Sequence, residues 1–183
     1  MSKILNWGEC TVFVRKYTKE NKRGDKWTVF DTPVENSTSL ETTEGNKTEA
    51  TVEGGSNEAV RRAKNKYALS FEERMGANYE YKITDDDGVI DGEFEVLVAP
   101  KEYVTAPSMY IPRSTAAVSD SYSSADGTKL KYTFDALKND LKAGTVNAGQ
   151  VVWGTVTLSE GVPETFEAFK DKTEPKANML TIV

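Results

Sequence analysis

Three aspartates in a row, Asp85, Asp86 and Asp87, precede Gly88, with Asp91 three positions beyond the glycine. Clusters of carboxylate oxygens like this can hold calcium, but the spacing of the helix-loop-helix calcium loop is absent. Counting Asp85 as the first position, the glycine needed at the sixth falls on Ile90 and the glutamate needed at the twelfth falls on Val96. A solvated turn is the better reading. Carboxylate pairs can also serve as the acid and base of glycoside hydrolysis, yet among 29 acidic residues nothing singles out two at a defined separation. Gly54-Gly55 lacks the lysine and hydroxyl residue of a phosphate loop and reads as a turn.

Histidine is absent, which removes Ser-His-Asp and Cys-His catalysis and nearly every common zinc arrangement. Cys10 is the sole cysteine, so no intrachain disulfide can form, and on the alternating stretch "CTVFVR" it reads as a small buried hydrophobe. The chain therefore reads as non-enzymatic, with no cofactor and no metal. Its net charge of −6 argues against tight binding to nucleic acid, where affinity comes from cations that displace counterions. The opening "MSKILNWGEC" has no apolar run long enough for a secretory leader, and no stretch approaches the roughly 20 apolar residues of a membrane span. Synthesis in the cytoplasm is the expectation.

The elements that would position any site read as strands. At 183 residues with an apolar fraction of 38% before glycine is counted, one domain over 1–183 with a proper core is expected. "TVFVRKY" and "KWTVFDTP" flank an Arg23-Gly24-Asp25 turn and predict an opening hairpin. "NKYALSFEE" places Tyr67, Leu69 and Phe71 on one face, "GVIDGEFEVLVAP" alternates Phe94, Val96 and Val98 against Glu93, Glu95 and Leu97, and "KLKYTF" and "QVVWGTVTLSE" alternate likewise. Phe134, Leu137 and Leu141, ending at Gly144, suit one or two helical turns or an ordered loop. The expected fold is mainly antiparallel β, a sandwich or barrel with one short flanking helix and a long β-hairpin arm. "QVVWGTVTLSE" is expected to be the final strand, and residues from about 160 to 183 read as a C-terminal extension.

The arm spans about Glu41 to Lys66, with "TEATVEG" and "NKYALSFEE" as its limbs. "SNEAVRRAK" between them could be a helix capped by Ser56, but strand is favoured. Charge is partitioned along it. Glu41, Glu44, Glu49, Glu53 and Glu58 face a single lysine, Lys47, whereas Ala59 to Lys66 carries Arg61, Arg62, Lys64 and Lys66 and no acid. A second acidic region follows, from Glu72 to Glu95, with nine acids against Arg74 and Lys82. An isolated two-stranded hairpin is marginal in water, so this arm needs neighbours. Pairing the acidic limb of one copy with the basic limb of another would block strand edges and set register. Each exposed ion pair contributes only about 0–1 kcal/mol, so many contacts repeated by symmetry would be required. The arm residues expected at the contact are Glu44, Lys47, Glu49, Glu53, Arg61, Arg62 and Lys64.

The ordered stretches "TEGNKTEATVEGG…NKYALSFE", "DDDGVIDGEFEVLVAP", "IPRSTAAVSDSYSSADGTKLKYTFDAL" and "VVWGTVTL" resemble the tail tube proteins of tailed phages and prophages of Bacteroides-type bacteria. The resemblance covers roughly Leu40 to Leu158 and rests on order and spacing. It implies a β-sandwich or barrel with a flanking helix and a long hairpin, assembling into stacked six-membered rings that form a conduit for phage DNA in the virion tail. It also implies an arm that contacts the next subunit or ring, other tail proteins as partners, and an acidic lumen. The lumen residues it points to here are Glu49, Glu53, Asp85, Asp86, Asp87 and Asp91. A like-charged lining leaves passing duplex mobile, where a basic one would hold it. Two rivals predict different behaviour: a ring protein of type VI secretion, similar in architecture, and a monomeric carbohydrate-binding or adhesin β-sandwich, suggested by the tyrosine and tryptophan content.

Overall fold

The computed structural model describes residues 8–17, 26–101, 106–139, 142–143, 146–147, 149–169 and 179–181. These contain fourteen strands: β1 (Cys10–Tyr17), β2 (Thr28–Phe30), β3 (Ser39–Thr43), β4 (Lys47–Thr51), β5 (Asn57–Arg62), β6 (Lys66–Arg74), β7 (Val89–Pro100), β8 (Ser108–Ser123), β9 (Gly127–Ala136), β10 (Lys142–Ala143), β11 (Val146–Asn147), β12 (Val152–Ser159), β13 (Val162–Ala168) and β14 (Met179–Thr181). Ten form one antiparallel sheet with the order β14-β13-β12-β8-β7-β1-β2, and a branch β8-β9-β6-β3 leaves the same β8. The pairs β4-β5 and β10-β11 stand as separate two-stranded sheets.

The branch point follows from the sequence of β8. Its residues Ser108–Tyr110 pair with β12 on one side, and from Ser114 onward the same side pairs with β9. Pro112 lies between the two. Having no N–H, it cannot serve a continuous ladder and sits where one partner gives way to the other. Opposite it, the β7–β8 register shifts between Phe94 and Val96, and such bulges bend and twist a strand.

Alternate side chains of β1, β7 and β8 feed two cores. Val12, Val14, Phe94, Val96, Met109 and Ile111 join Phe30, Leu69, Phe71, Leu130, Tyr132 and Phe134 on one face. Phe13, Leu97 and Tyr110 join Trp27, Val152, Val156 and Phe166 on the other. This is why Thr11–Arg15 and Phe94–Leu97 are buried without a break, where period-two exposure would be expected of a half-buried strand. Each such side chain stabilises the fold by roughly 1.5–3 kcal/mol through burial. The second face also buries a charge pair fixed by register. Arg15 lies directly across from Glu95, and its Nε donates to Glu95 Oε2 at 2.7 Å. Tyr110 Oη donates to Glu95 Oε1 at 2.8 Å, and the Arg15 guanidinium lies 4.3 Å from the Trp27 ring centre.

Around the first core the sheet curls on itself. Phe30 of β2 and Phe71 of β6, remote along the ladder, pack 4.9 Å apart. No ladder joins β2 to β6 or β3 among the described residues, so the sheet is curled and not a closed barrel. The connection from β2 to β3 bridges part of the gap, with Val34 N–H donating to Glu72 O at 2.8 Å and Glu72 N–H to Ser37 Oγ at 3.0 Å.

Three expectations need correction. No helix occurs among the described residues. Phe134 belongs to β9, packing with strand period, and Leu137 N–H extends the ladder to Arg113 O at 2.8 Å; Leu141 and Gly144 lie outside the described residues. Second, β12 is not the last strand. Glu160 and Gly161 both have positive φ (51° and 80°), the pattern of a two-residue hairpin turn, and β13 returns to bury Phe166. Third, the limbs of the arm pair differently from the expectation, as described below. The β1–β2 pairing is as expected, although the Arg23–Asp25 turn falls outside the described residues.

Candidate assembly surface

The arm is built in two stages. β3 pairs with β6 from Ser39↔Ser70 to Thr43↔Lys66, extending the main sheet. The chains then cross closely: Ala63 N–H donates to Asn46 O at 2.9 Å and Gly45 N–H to Asn65 Oδ1 at 3.2 Å. A Cβ at Gly45 would overlap the Ala63 carbonyl, so this crossing requires glycine. Beyond it β4 pairs with β5, Lys47↔Arg62 through Thr51↔Asn57. "TEATVEG" therefore meets "NEAVRR" and not "NKYALSFEE", and Asn57–Arg62 is strand.

Every residue of β4 and β5 is exposed. Strand alternation places Ala50 opposite Ala59 and Thr48 opposite Arg61 on one side of this ribbon. On the other, Glu49 faces Val60 and Lys47 faces Arg62. Two cations directly opposite repel. Lys47 is relieved by an ion pair with Glu49, and Arg62 lies 3.8 Å from Glu44. The acidic and basic limbs thus meet within one chain. Arg61, Lys64 and Glu53 make no ion pair among the described residues, and Val52 and Val60 are about half exposed, at 45% and 51%.

The aspartate cluster is a turn. Asp86 and Val89 exchange backbone hydrogen bonds of 2.8 and 3.0 Å across Asp87 and Gly88, whose φ values are 51° and 88°. Asp85 Oδ2 accepts from Gly88 N–H at 2.8 Å, which gives that carboxylate a structural task. Asp91 is exposed on β7. Glu49 and Glu53 lie on the arm, and no hydrogen bond or ion pair among the described residues links them to Asp85–Asp91. No three acidic or cysteine side chains among the described residues are grouped to share a metal ion. No helix among them is long and apolar enough to cross a membrane.

Sequence reasoning missed a groove of about 760 Å³ bordered by β3, the connection from β2 to β3, the end of β7 and Trp153 of β12. Leu40, Leu69, Val98 and Met109 form its apolar side, and Glu9, Asp31 and Glu35 stand around it. Lys101 is shared between Asp31, 3.3 Å away, and Glu9, 3.9 Å away. Cys10 also lines the groove; burial raises its thiol pKa, partly offset by a 3.6 Å hydrogen bond to Thr38 Oγ1. Its contributors come from six separate stretches of chain, so no local motif signals it. Trp153, on an otherwise alternating strand and 43% exposed, was the one visible hint.

Comparison of the chain with protein-family models and with curated protein sequences returns no match.

Proposed function

We propose that this chain is a non-enzymatic structural subunit that assembles with copies of itself, and specifically the repeated subunit of a phage or prophage tail tube. One observation carries the assembly reading: a two-stranded ribbon, exposed along all of β4 and β5, projects from a body that already has two cores of its own. A ribbon of this kind gains little from its own chain and becomes ordered at low energetic cost only against another surface. The ordered resemblance to tail tube proteins gives the assembly its kind: stacked rings around a channel that passes DNA without gripping it, in a virion tail made in the host cytoplasm. The net charge of −6 supports a channel that does not retain duplex. A secretion-system ring subunit shares the assembly behaviour and differs in the genes beside it.

Sedimentation and negative-stain microscopy of the concentrated protein test this reading, with rings or tubes expected. A chain that stays monomeric at all concentrations, and with tail partners added, overturns it. Exposed Trp153 beside Asp31, Glu35 and Asn36 favours a second reading, a monomeric glycan-binding module, since an aromatic platform flanked by polar groups suits a sugar ring. Glycan-array binding by the monomer would distinguish it.

A further inference from the structure

The groove described above is the seam of the curled sheet. Among the described residues β3 is bonded to β6 alone, so its far edge presents backbone groups without a ladder partner there, and Thr38, Ser39 and Leu40 bring that edge to the groove wall. Its apolar side is the rim of the first core, because Leu69 and Met109 belong to that core and Leu40 and Val98 pack against it. An unpaired edge beside an apolar trough is the geometry for strand addition, in which backbone bonds give affinity and side-chain sites give register.

The charges say which strand. Glu9, Asp31 and Glu35 flank the trough, and Lys101 is already divided between Glu9 and Asp31; Glu35 makes no ion pair among the described residues. The complementary element is β5. Among the described residues it is bonded only to β4 and Arg61 has no partner; its six residues are all exposed, and Val60 offers an apolar contact. From Ala59 to Lys66 the chain carries four cations and no acid.

We propose that this groove receives strand β5 of a second copy's arm, which adds to the open edge of β3 and sets its basic side chains among Glu9, Asp31 and Glu35. The inference rests on the assembly reading and names the surface that reading leaves open. It makes the arm the donor and the seam the acceptor, so each copy both gives and receives, and the contact is head-to-tail.

Two full-length chains, both Cys10→Ser, test it: one carries Ser39→Cys at the groove wall and the other Ala59→Cys on β5. Mixed and oxidised, they should give a disulfide between residues 39 and 59 that is between chains by construction; a chain with Asp126→Cys at the β8–β9 turn should give none with Ala59→Cys. In parallel, Arg61→Glu with Arg62→Glu should abolish the assembled species in sedimentation, and adding Glu9→Lys with Glu35→Lys to the same chain should restore it. Assembly of the wild-type chain without the 39–59 link and without restoration overturns the groove assignment and leaves the assembly reading standing. A link from residue 39 to another tail protein, or glycan binding there with assembly unaffected by arm reversal, also overturns it. A wild-type chain that never assembles ends both.

Discussion

β8 and β5 are both strands of one short chain, yet they stand at opposite extremes. Ser108–Pro112 of β8 is buried on both faces, and Asn57–Arg62 of β5 on neither. The first is held by side chains from two cores; the second is held by one ladder and by whatever covers it from outside. Substitutions in the two regions should therefore separate stability from assembly, the body governing whether the chain folds and the arm governing what it builds.

The largest effect should come from the body. Glu95→Ala removes the carboxylate that Arg15 and Tyr110 share in a dry site, and leaving a buried charge unpaired costs about 3–5 kcal/mol, which thermal or urea unfolding would show as a large drop or outright failure to fold. Phe71→Ala, in the centre of the aromatic cluster with Phe30, Tyr132 and Phe134, should cost a similar ~3–5 kcal/mol. Deleting residues 46–63 and closing the gap with a short turn should do the reverse: assembly vanishes while the melting temperature of the monomer barely moves. If the melting temperature fell as far as for Phe71→Ala, the arm would belong to the body and the contrast would collapse.

Gly45→Ala sharpens the comparison at the arm's root. It forces the crossing strands apart, so assembly should weaken with little change in the unfolding midpoint. Smaller still is the alkaline response. Burial, followed by hydrogen bonds with Tyr132 and Glu73, raises the Tyr79 phenol pKa well above its ordinary value, and burial raises that of Tyr132. Above about pH 10 the unfolded chain releases these protons while the folded chain retains them, so stability should fall as pH rises further, and Tyr79→Phe should flatten the fall. The body should show this dependence with or without the arm.

Much of the strand content was legible because strand patterns are local. β6, β7, β9 and β12 announced themselves by alternation, and "NEAVRR" proved strand because its polar residues never had a buried face to serve. β13 was missed although "SEGV" carries the acid-glycine pair of a tight hairpin turn, because Glu164 and Glu167 make the segment look polar around Pro163 and Phe166. The helix expected after Phe134 failed for the opposite reason: spacing of three and seven fits a helix, but Phe134 was already committed to the strand period of β9. The buried Arg15–Glu95 pair could not be read, since it depends on the register between strands eighty residues apart in sequence. The groove forms where stretches remote in sequence come together, which no hydrophobic pattern encodes.

Pro112 has a further consequence. Because one continuous strand contributes Met109 and Ile111 to the first core, Tyr110 to the second, and bonds to three neighbours along its length, neither half of the molecule has a boundary at which to melt alone. Heat or denaturant should therefore meet a single cooperative unit, with the two cores lost in one step.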